Sequence, residues 1–317
     1  MTGTLEQGFG PADDDFHFRD LGEDWWATET SWFSFHDVER RLGGWLYTLA
    51  RPNIGTVAGG AWVWDDTASL PWEVLYSRNY TSLQLPPDAD LRSIRLPTGV
   101  SIDVVEPTMR YRLGYDDPGH LLVDLRFDAL MAPRPASSHR STFGAARHYD
   151  QIGRMSGSIT LHGERVQIDC AAVRDRSWGR RREDRPHRAA YVTGASPSGD
   201  GFVMVTRHGG EGEELAYGFL RRHGREATLS RAERHVERDP ETGRMTAISL
   251  VLEEEGGDVV RLDGRPLSLI IVNRHTFIDL NSLVSWRVDG ADWVGEDQDM
   301  WPVHDWSEAR RRMRADR

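Results

Sequence analysis

One carboxylate in this sequence lies between two arginines, close to a tryptophan and a glycine. Asp175 occupies the segment Val173-Arg-Asp-Arg-Ser-Trp-Gly-Arg180. The neighbouring guanidinium groups favour the ionised carboxylate, whereas burial would raise its pKa and favour the neutral acid. An acid held between these effects is a candidate for proton-transfer chemistry. The alternative is a structural cluster of salt bridges between two halves of the protein.

Two further polar clusters could form the wall of a site. The first is His148-Tyr149-Asp150-Gln151, and the second is Glu296-Asp297-Gln298-Asp299, which is bracketed by Trp293 and Trp301. Each combines groups that can exchange protons with aromatic rings that can pack on a ligand. Each also suits an exposed acidic loop or a seam of ion pairs with the arginines, so both interpretations stay open.

Several familiar site chemistries have no motif in the sequence. The histidines are scattered without a His-x-x-x-His pair, and the one cysteine, Cys170, excludes an internal disulfide and a cysteine-based zinc site. The chain has no lysine for a Gly-x-x-x-x-Gly-Lys phosphate loop, and it has no Gly-x-Ser-x-Gly element. We therefore predict no metal site.

Charge and hydropathy restrict the partners of the chain. Its net charge of −11 over 317 residues argues against a general nucleic-acid binder. No apolar run approaches the roughly 20 residues that a membrane span needs. The segment 1–22 lacks the basic and apolar regions of a secretory signal and is predicted to be a disordered arm. We expect a cytoplasmic location and no membrane span.

The elements that position these residues are mostly strands. Short alternating segments recur along the chain between turns rich in Gly, Asp and Pro, and one helix is predicted near the C-terminus, from Ser307 to Arg314. A Pro/Ser-rich break at 132–138 predicts a boundary between two β domains, at 23–135 and 136–317. Chains of this kind form barrels or sandwiches.

The strand before Asp175 predicts which way its side chain points. Val166, Ile168 and Cys170 share one face of that strand by odd–even alternation. If the alternation continues, Arg174 joins their face and Asp175 points away from it. A β-bulge near residues 171–172 would reverse this assignment.

The motif residues also resemble a known superfamily. His148-Tyr-Asp-Gln-Ile-Gly-Arg-Met-Ser-Gly-Ser-Ile159, Gly163-Glu164 and Arg174-Asp-Arg-Ser-Trp-Gly-Arg180 resemble the hydroxyneurosporene synthase (carotenoid 1,2-hydratase)/AttH-like superfamily. They are most similar to an uncharacterised bacterial branch with the signature Arg-Asp-x-Ser-Trp-Gly. The Arg51-Pro-Asn53 and Gly295-Glu-Asp-Gln-Asp299 stretches fit that branch as well.

The resemblance implies an all-β fold of two consecutive lipocalin-like antiparallel barrels followed by the short helix. It also implies cofactor-independent chemistry on a long apolar molecule, such as hydration of an isoprenoid double bond or cyclisation. In such chemistry a neutral acid protonates the alkene and aromatic faces stabilise the carbocation. On this basis the predicted catalytic residues are Asp175 as proton donor, Trp178 as the cation-facing ring, and His148. The predicted substrate-binding residues are Trp62, Trp64, Tyr149, Arg174, Trp293 and Trp301.

Two classes of function therefore remain open. The first is a hydro-lyase or a terpenoid cyclase or isomerase without a cofactor, including a pericyclase that only confines its substrate. The second is a non-catalytic carrier of a hydrophobic small molecule, which a tryptophan-rich barrel would serve equally well. In either case we expect an apolar small molecule as the partner, no nucleic acid, and a homodimer as one form of assembly.

Overall fold

The protein is described here from a computed structural model. The described residues are 8–17, 22–136, 147–182, 187–209, 212–274 and 276–315. Parts of the predicted arm (1–7 and 18–21) and of the predicted boundary (137–138) therefore lie outside the described residues.

An open half-barrel sheet takes up the first part of the chain. Its strands are β1 (Ala27–Asp37), β2 (Leu42–Arg51), β3 (Thr56–Trp64), β4 (Tyr76–Gln84), β5 (Ser93–Arg95), β6 (Val100–Glu106), β7 (Arg110–Asp117), β8 (Leu121–Ala129), β9 (Arg134–Pro135), β10 (Arg147–Leu161) and β11 (Glu164–Arg180). Neighbouring strands run antiparallel in the order β4-β3-β2-β1-β11-β10-β8-β7-β6-β5, and β9 pairs with β10.

A closed barrel of eight strands follows. The strands of this second sheet are β12 (Ala189–Ala195), β13 (Gly201–Gly209), β14 (Gly212–Arg222), β15 (Arg225–Arg238), β16 (Met245–Glu254), β17 (Val259–Pro266), β18 (Ile270–Asn273), β19 (Phe277–Val288) and β20 (Ala291–Pro302). Pairing of β17 with β19 closes the barrel, and β18 lies beside β19. Helix α1 (Val303–Ala315) packs Ala309 against Leu280 and Trp301 of the barrel. The all-β, two-barrel class with a C-terminal helix is thus confirmed, with the first barrel open.

Strand β11 contributes to two different hydrophobic cores. Ile168 and Ala172 belong to the core enclosed by the first sheet, whereas Ala171 and Val173 belong to a core shared by both sheets. The ladder between β10 and β11 runs from Leu161↔Glu164 to Arg147↔Trp178 without a register shift. The predicted alternation is therefore confirmed, and no bulge reverses it. Asp175 lies on the face that meets the second sheet.

The sheets divide the chain later than the composition predicts. Strands β10 and β11 follow the Pro/Ser-rich break but pair with β8 and β1 of the first sheet. The predicted division into 23–135 and 136–317 therefore does not match sheet membership, which changes after Arg180. A break in composition marks a loop, but it does not determine which sheet the chain joins next.

Part of the predicted disordered arm of residues 1–22 is folded onto the first sheet. Within 8–17, Asp14 is buried and pairs with Arg174 at 3.1 Å. The Tyr111 hydroxyl donates a hydrogen bond to the same carboxylate at 2.8 Å. The prediction was wrong for these residues because low hydropathy gives no sign of a long-range ion pair with a buried arginine.

Asp14→Asn tests this anchoring. The substitution keeps the size of the side chain but leaves the buried Arg174 charge without its carboxylate, which typically costs about 3–5 kcal/mol. We expect urea denaturation to show a lower free energy of unfolding by an amount of that order. The control is Asp169→Asn, which breaks an exposed pair with Arg154 and should cost less than about 1 kcal/mol. If Asp14→Asn were as stable as the control, the arm would not be anchored through this pair.

Candidate active site between the sheets

Two rows of side chains face each other where the sheets meet. Direct cross-strand partners project from the same face of a sheet, so each row presents its side chains together. The first row, on β2, β1, β11 and β10, is Tyr47, Trp32, Asp175 and Asp150. The second row, on β20, β12, β13 and β14, is Gln298, Tyr191, Val205 and Tyr217.

A buried hydrogen-bond cluster joins the two rows. The Tyr191 hydroxyl donates to Asp150 Oδ1 at 2.6 Å, and His148 Nε2 lies 3.1 Å from Asp150 Oδ2. The Tyr217 hydroxyl is 2.7 Å from the same His148 nitrogen. All four side chains are buried. Because the two tyrosines come from the second sheet, the cluster fixes the imidazole and ties the sheets together.

Asp175 lies beside this cluster on the cavity wall. Its side chain is half-buried, and the buried Oδ1 atom accepts no hydrogen bond among the described residues. Burial raises the pKa of Asp175 to about 6, although the charge of His148 opposes the shift. A carboxyl group with this pKa carries a proton in about a tenth of molecules at pH 7, roughly a hundred times the fraction of an ordinary aspartate, so a protonated donor is available.

The flanking arginines do not restrain Asp175 in the way that the sequence suggests. Arg174 pairs with Asp14, and Arg176 pairs with Glu29 at 2.5 Å, with both guanidinium groups buried. Both arginines project from the opposite face of β11 because neighbours in a strand alternate. Their charges are therefore largely compensated away from the cavity.

The pKa of His148 is shifted in the direction opposite to that of an isolated buried histidine. Burial alone would lower the pKa of His148, but the charge and hydrogen bond of Asp150 raise it above its usual value. The negative charge of Asp175 acts in the same direction. The protonation of His148 therefore depends on the charge of Asp175, and the protonation of Asp175 depends on the charge of His148.

The cavity beside Asp175 spans about 470 Å³, including its solvent-open mouth, and polar and apolar atoms contribute about equally to its wall. Its lining consists of Thr30, Trp32, Tyr47, His148, Asp175, Ser177, Arg181, Tyr191, Arg274, Gln298 and Met300. A neighbouring cleft, which spans about 680 Å³ including its solvent-open mouth, shares Tyr47, Arg181 and Arg274 with it. The two spaces therefore meet at these three side chains.

Three predicted site residues lie on the wrong face to join Asp175 and His148. Trp178 is buried and stacks on His17, with the ring centroids 4.1 Å apart. Arg174 and Tyr149 lie together on that same side, with the Arg174 guanidinium 5.1 Å from the Tyr149 ring. Trp178 is three residues from Asp175, and an odd separation along a strand places two side chains on opposite faces.

The predicted tryptophans are spread over different parts of the fold. Trp62 lines the 680 Å³ cleft, and Trp64 is fully buried against Trp45, with the centroids 5.3 Å apart. Trp293 lies in the core of the second barrel. Trp301 lies beneath helix α1, with the Arg188 guanidinium 3.5 Å from its ring. Of these four, Trp62 alone lines one of the two clefts near Asp175.

The residues that complete the site are Asp150, Trp32, Tyr191 and Tyr217, of which the sequence placed only Asp150 in a possible site wall, without a role. Asp150 had a local signal, because it lies two residues from His148 and so shares its strand face. Trp32, Tyr191 and Tyr217 had none, since they reach the site through pairing and packing between distant strands.

The cluster could be considered as a metal site. Ligand atoms of His148, Asp150 and Asp175 lie within 4.8 Å of one another. However, both oxygens of Asp150 and the Nε2 atom of His148 already take part in hydrogen bonds with each other and with Tyr191 and Tyr217. A metal ion would have to displace these bonds, so the donor set fits a proton-sharing cluster better than a metal centre.

Comparison with known proteins identifies a family for the sequence and related structures for the fold. The model of a family described as a domain of unknown function, DUF7064, matches residues 10–296. No curated protein has a sequence significantly similar to the chain. None of the described helices is long and apolar enough to cross a membrane.

Solved structures share the fold at low sequence identity. An AttH-like protein of Nitrosomonas europaea has a TM-score of 0.70 at 14% identity, covering 95% of this chain and 98% of its own. Kievitone hydratase of Nectria haematococca has a TM-score of 0.59 at 14% identity, covering 96% of each chain. CghA, solved with Sch210972, has a TM-score of 0.56 at 12% identity, covering 87% of this chain and 89% of its own. The chain thus shares the fold that the resemblance to AttH-like proteins implies.

The raised pKa of Asp175 predicts a particular dependence of stability on pH. The folded carboxyl has a pKa of about 6, against about 3.9 when unfolded. Between these values the folded state binds more protons than the unfolded state, so stability falls as pH rises. The neutral isostere Asp175→Asn avoids this loss and should be more stable than wild type at pH 8, by about 1–3 kcal/mol.

Denaturation at a series of pH values checks this expectation. The advantage of Asp175→Asn should shrink to about 0.5 kcal/mol at pH 4 and disappear by about pH 3, where the wild-type carboxyl is protonated in both states. Asp169→Asn on the same strand is the control, because the Arg154 hydrogen bond lowers the pKa of Asp169 and the sign reverses. An advantage of Asp175→Asn that did not grow with pH would show that Asp175 is not desolvated.

Proposed function

The chain belongs to the family described as a domain of unknown function, DUF7064, and for this member we propose a cofactor-independent hydratase, lyase or cyclase that protonates an alkene of an isoprenoid-like substrate. The observation that carries the proposal is the Asp175 carboxyl, which has a raised pKa, an unbonded buried oxygen and a place on a cavity wall. The shared fold with kievitone hydratase supports the same class of reaction.

The first step is transfer of the Asp175 proton to one alkene carbon. The O–H bond breaks, the π electrons form the new C–H bond, and the adjacent carbon becomes a carbocation. The carboxylate that remains lies near His148, whose raised pKa favours the positively charged imidazolium. This neighbouring charge stabilises the ionised Asp175 at the moment when the carbocation exists.

The second step returns a proton to the Asp175 carboxylate. In hydration, a water oxygen forms the C–O bond and loses its extra proton to the carboxylate. In cyclisation, a second double bond forms the C–C bond, and a proton leaves the new cation for the same group. Elimination of water follows the hydration steps in reverse. In each case the acid is regenerated; hydration consumes one water molecule, elimination releases one, and cyclisation needs no second reactant.

Trp32 takes the role that the sequence assigned to Trp178. It is the direct cross-strand partner of Asp175 and lines the same cavity. Its ring is buried and is held at right angles to Tyr191, with the centroids 5.6 Å apart. A fixed indole face beside the proton donor can stabilise positive charge on carbon.

Asp175→Asn should abolish turnover. Loss of a general acid costs roughly 10²–10⁴-fold in rate. The protein would be incubated in D₂O with farnesol, farnesoic acid and squalene, and the products would be analysed by mass spectrometry. Wild type should place one solvent deuterium on carbon, because Asp175 exchanges with solvent. Asp175→Asn should place none.

Other functions give different results in the same experiment. A pericyclase would yield an isomer of the substrate without deuterium on carbon, and a carrier would bind the probes without product. Either outcome, or deuterium incorporation retained by Asp175→Asn, would contradict protonation by Asp175. Asp169→Asn on the same strand is the matched control and should react like wild type.

Trp32→Leu should lower the rate of deuterium incorporation by about 2–30-fold, the range expected from loss of one cation–π contact of about 0.5–2 kcal/mol. Trp178→Leu should leave the rate per folded molecule within about twofold of wild type. Its ring lies on the opposite face of β11, so its loss should affect thermal stability instead. A larger loss of rate in Trp178→Leu than in Trp32→Leu would return the cation-facing role to Trp178.

A further inference from the structure

We propose that the substrate is an amphipathic anion, in which a carboxylate or phosphate group on an apolar chain binds where the two clefts meet. Arg274, Arg181 and Tyr47 form this junction. The inference rests on the proposed function for the reaction itself, but the binding site can be tested separately.

The junction and the larger cleft carry positive charge. Arg51, Arg181 and Arg274 line the 680 Å³ cleft, and its described lining includes no acidic side chain. In the 470 Å³ cavity the acidic lining residue is Asp175, which holds its proton more tightly than an ordinary aspartate. A protein with a net charge of −11 therefore lines this cleft with three arginines beside its candidate proton donor.

Arg274 is placed to bind an anion at this junction. Its guanidinium lies 5.3 Å from the centre of the Tyr47 ring, which restricts its position. Its ion pair with the buried Asp279 is 3.3 Å long, beyond the 2.7–2.9 Å of a tight charged hydrogen bond. A guanidinium has five N–H donors, so a ligand oxygen can be accommodated in addition to this contact.

The walls on either side of the junction suit the apolar part of the same molecule. In the larger cleft Leu49, Trp62, Val272 and Phe277 provide an apolar surface. On the other side, Trp32 and Met300 line the cavity with Asp175. An anionic group held at the junction would fix the register of the chain and so determine which double bond reaches the proton donor.

The experiment compares three probes with one C15 isoprenoid chain, using isothermal titration calorimetry. Farnesoic acid and farnesyl monophosphate carry an anion, and farnesol carries a hydroxyl. Wild type should bind at least one of the anions about 10–100-fold more tightly than farnesol, the range given by a charged hydrogen bond of about 1.5–3 kcal/mol. The better anion distinguishes a carboxylate site from a phosphate site.

Arg274→Gln/Asp279→Asn removes both charges, so that no unpaired buried carboxylate destabilises the fold. This double variant should lose most of the preference for the anion and keep its affinity for farnesol. Arg274→Lys keeps a positive charge and should retain part of the preference. The control, Arg126→Gln, removes an exposed arginine of β8 and should bind like wild type.

Equal affinity for anions and farnesol, or a preference that the double variant retains, would overturn the inference. Asp175→Asn should keep the preference, because it leaves the arginines in place. If wild type prefers an anion but yields no deuterated product from any probe, the anion site stands and the proposed reaction fails. If deuterated product forms without any anion preference, the reaction stands and this inference fails.

Discussion

The candidate site depends on the uninterrupted alternation of β11. This strand pairs with β1 and β10 in continuous register, so each residue between Arg174 and Trp178 projects to the side opposite its neighbours. One side is the interior of the first sheet, where Arg174 meets Asp14. The other side faces the second barrel, and Asp175 lies there. One segment can therefore carry two compensated arginines and one desolvated acid without direct ion pairing between them.

The second barrel supplies the tyrosine side chains that complete the cluster beside Asp175. Tyr191 donates a hydrogen bond to Asp150, the Tyr217 hydroxyl is hydrogen-bonded to His148, and the core shared by both sheets surrounds the cluster. Burial of a carboxyl group without a hydrogen bond is unfavourable for stability. The same burial raises the pKa of Asp175, so the group proposed to donate a proton is one whose burial costs stability. Such a loss is common at functional sites.

The fold class was predictable because strand alternation and turn residues are local signals. The direction of Asp175 was predictable for the same reason, from the pattern at Val166, Ile168 and Cys170. The neutralisation of Arg174 was not, because it depends on Asp14, which is 160 residues away. The position of Trp32 beside Asp175 was equally hidden, since cross-strand pairing of β1 with β11 has no signature in either strand. A motif that is contiguous in sequence, Arg-Asp-x-Ser-Trp-Gly, is thus divided by the sheet between two environments.

The central claim is that Asp175 is a desolvated acid which keeps its proton to near neutral pH. Carbon-13 NMR of protein labelled at the aspartate side-chain carboxyl measures this directly, and the signal missing from Asp175→Asn assigns the resonance. The account predicts a titration midpoint for Asp175 at about 6. A midpoint at or below the ordinary aspartate value of about 3.9 would contradict it, because the carboxyl would then be an ion-paired or solvated carboxylate with no proton to donate.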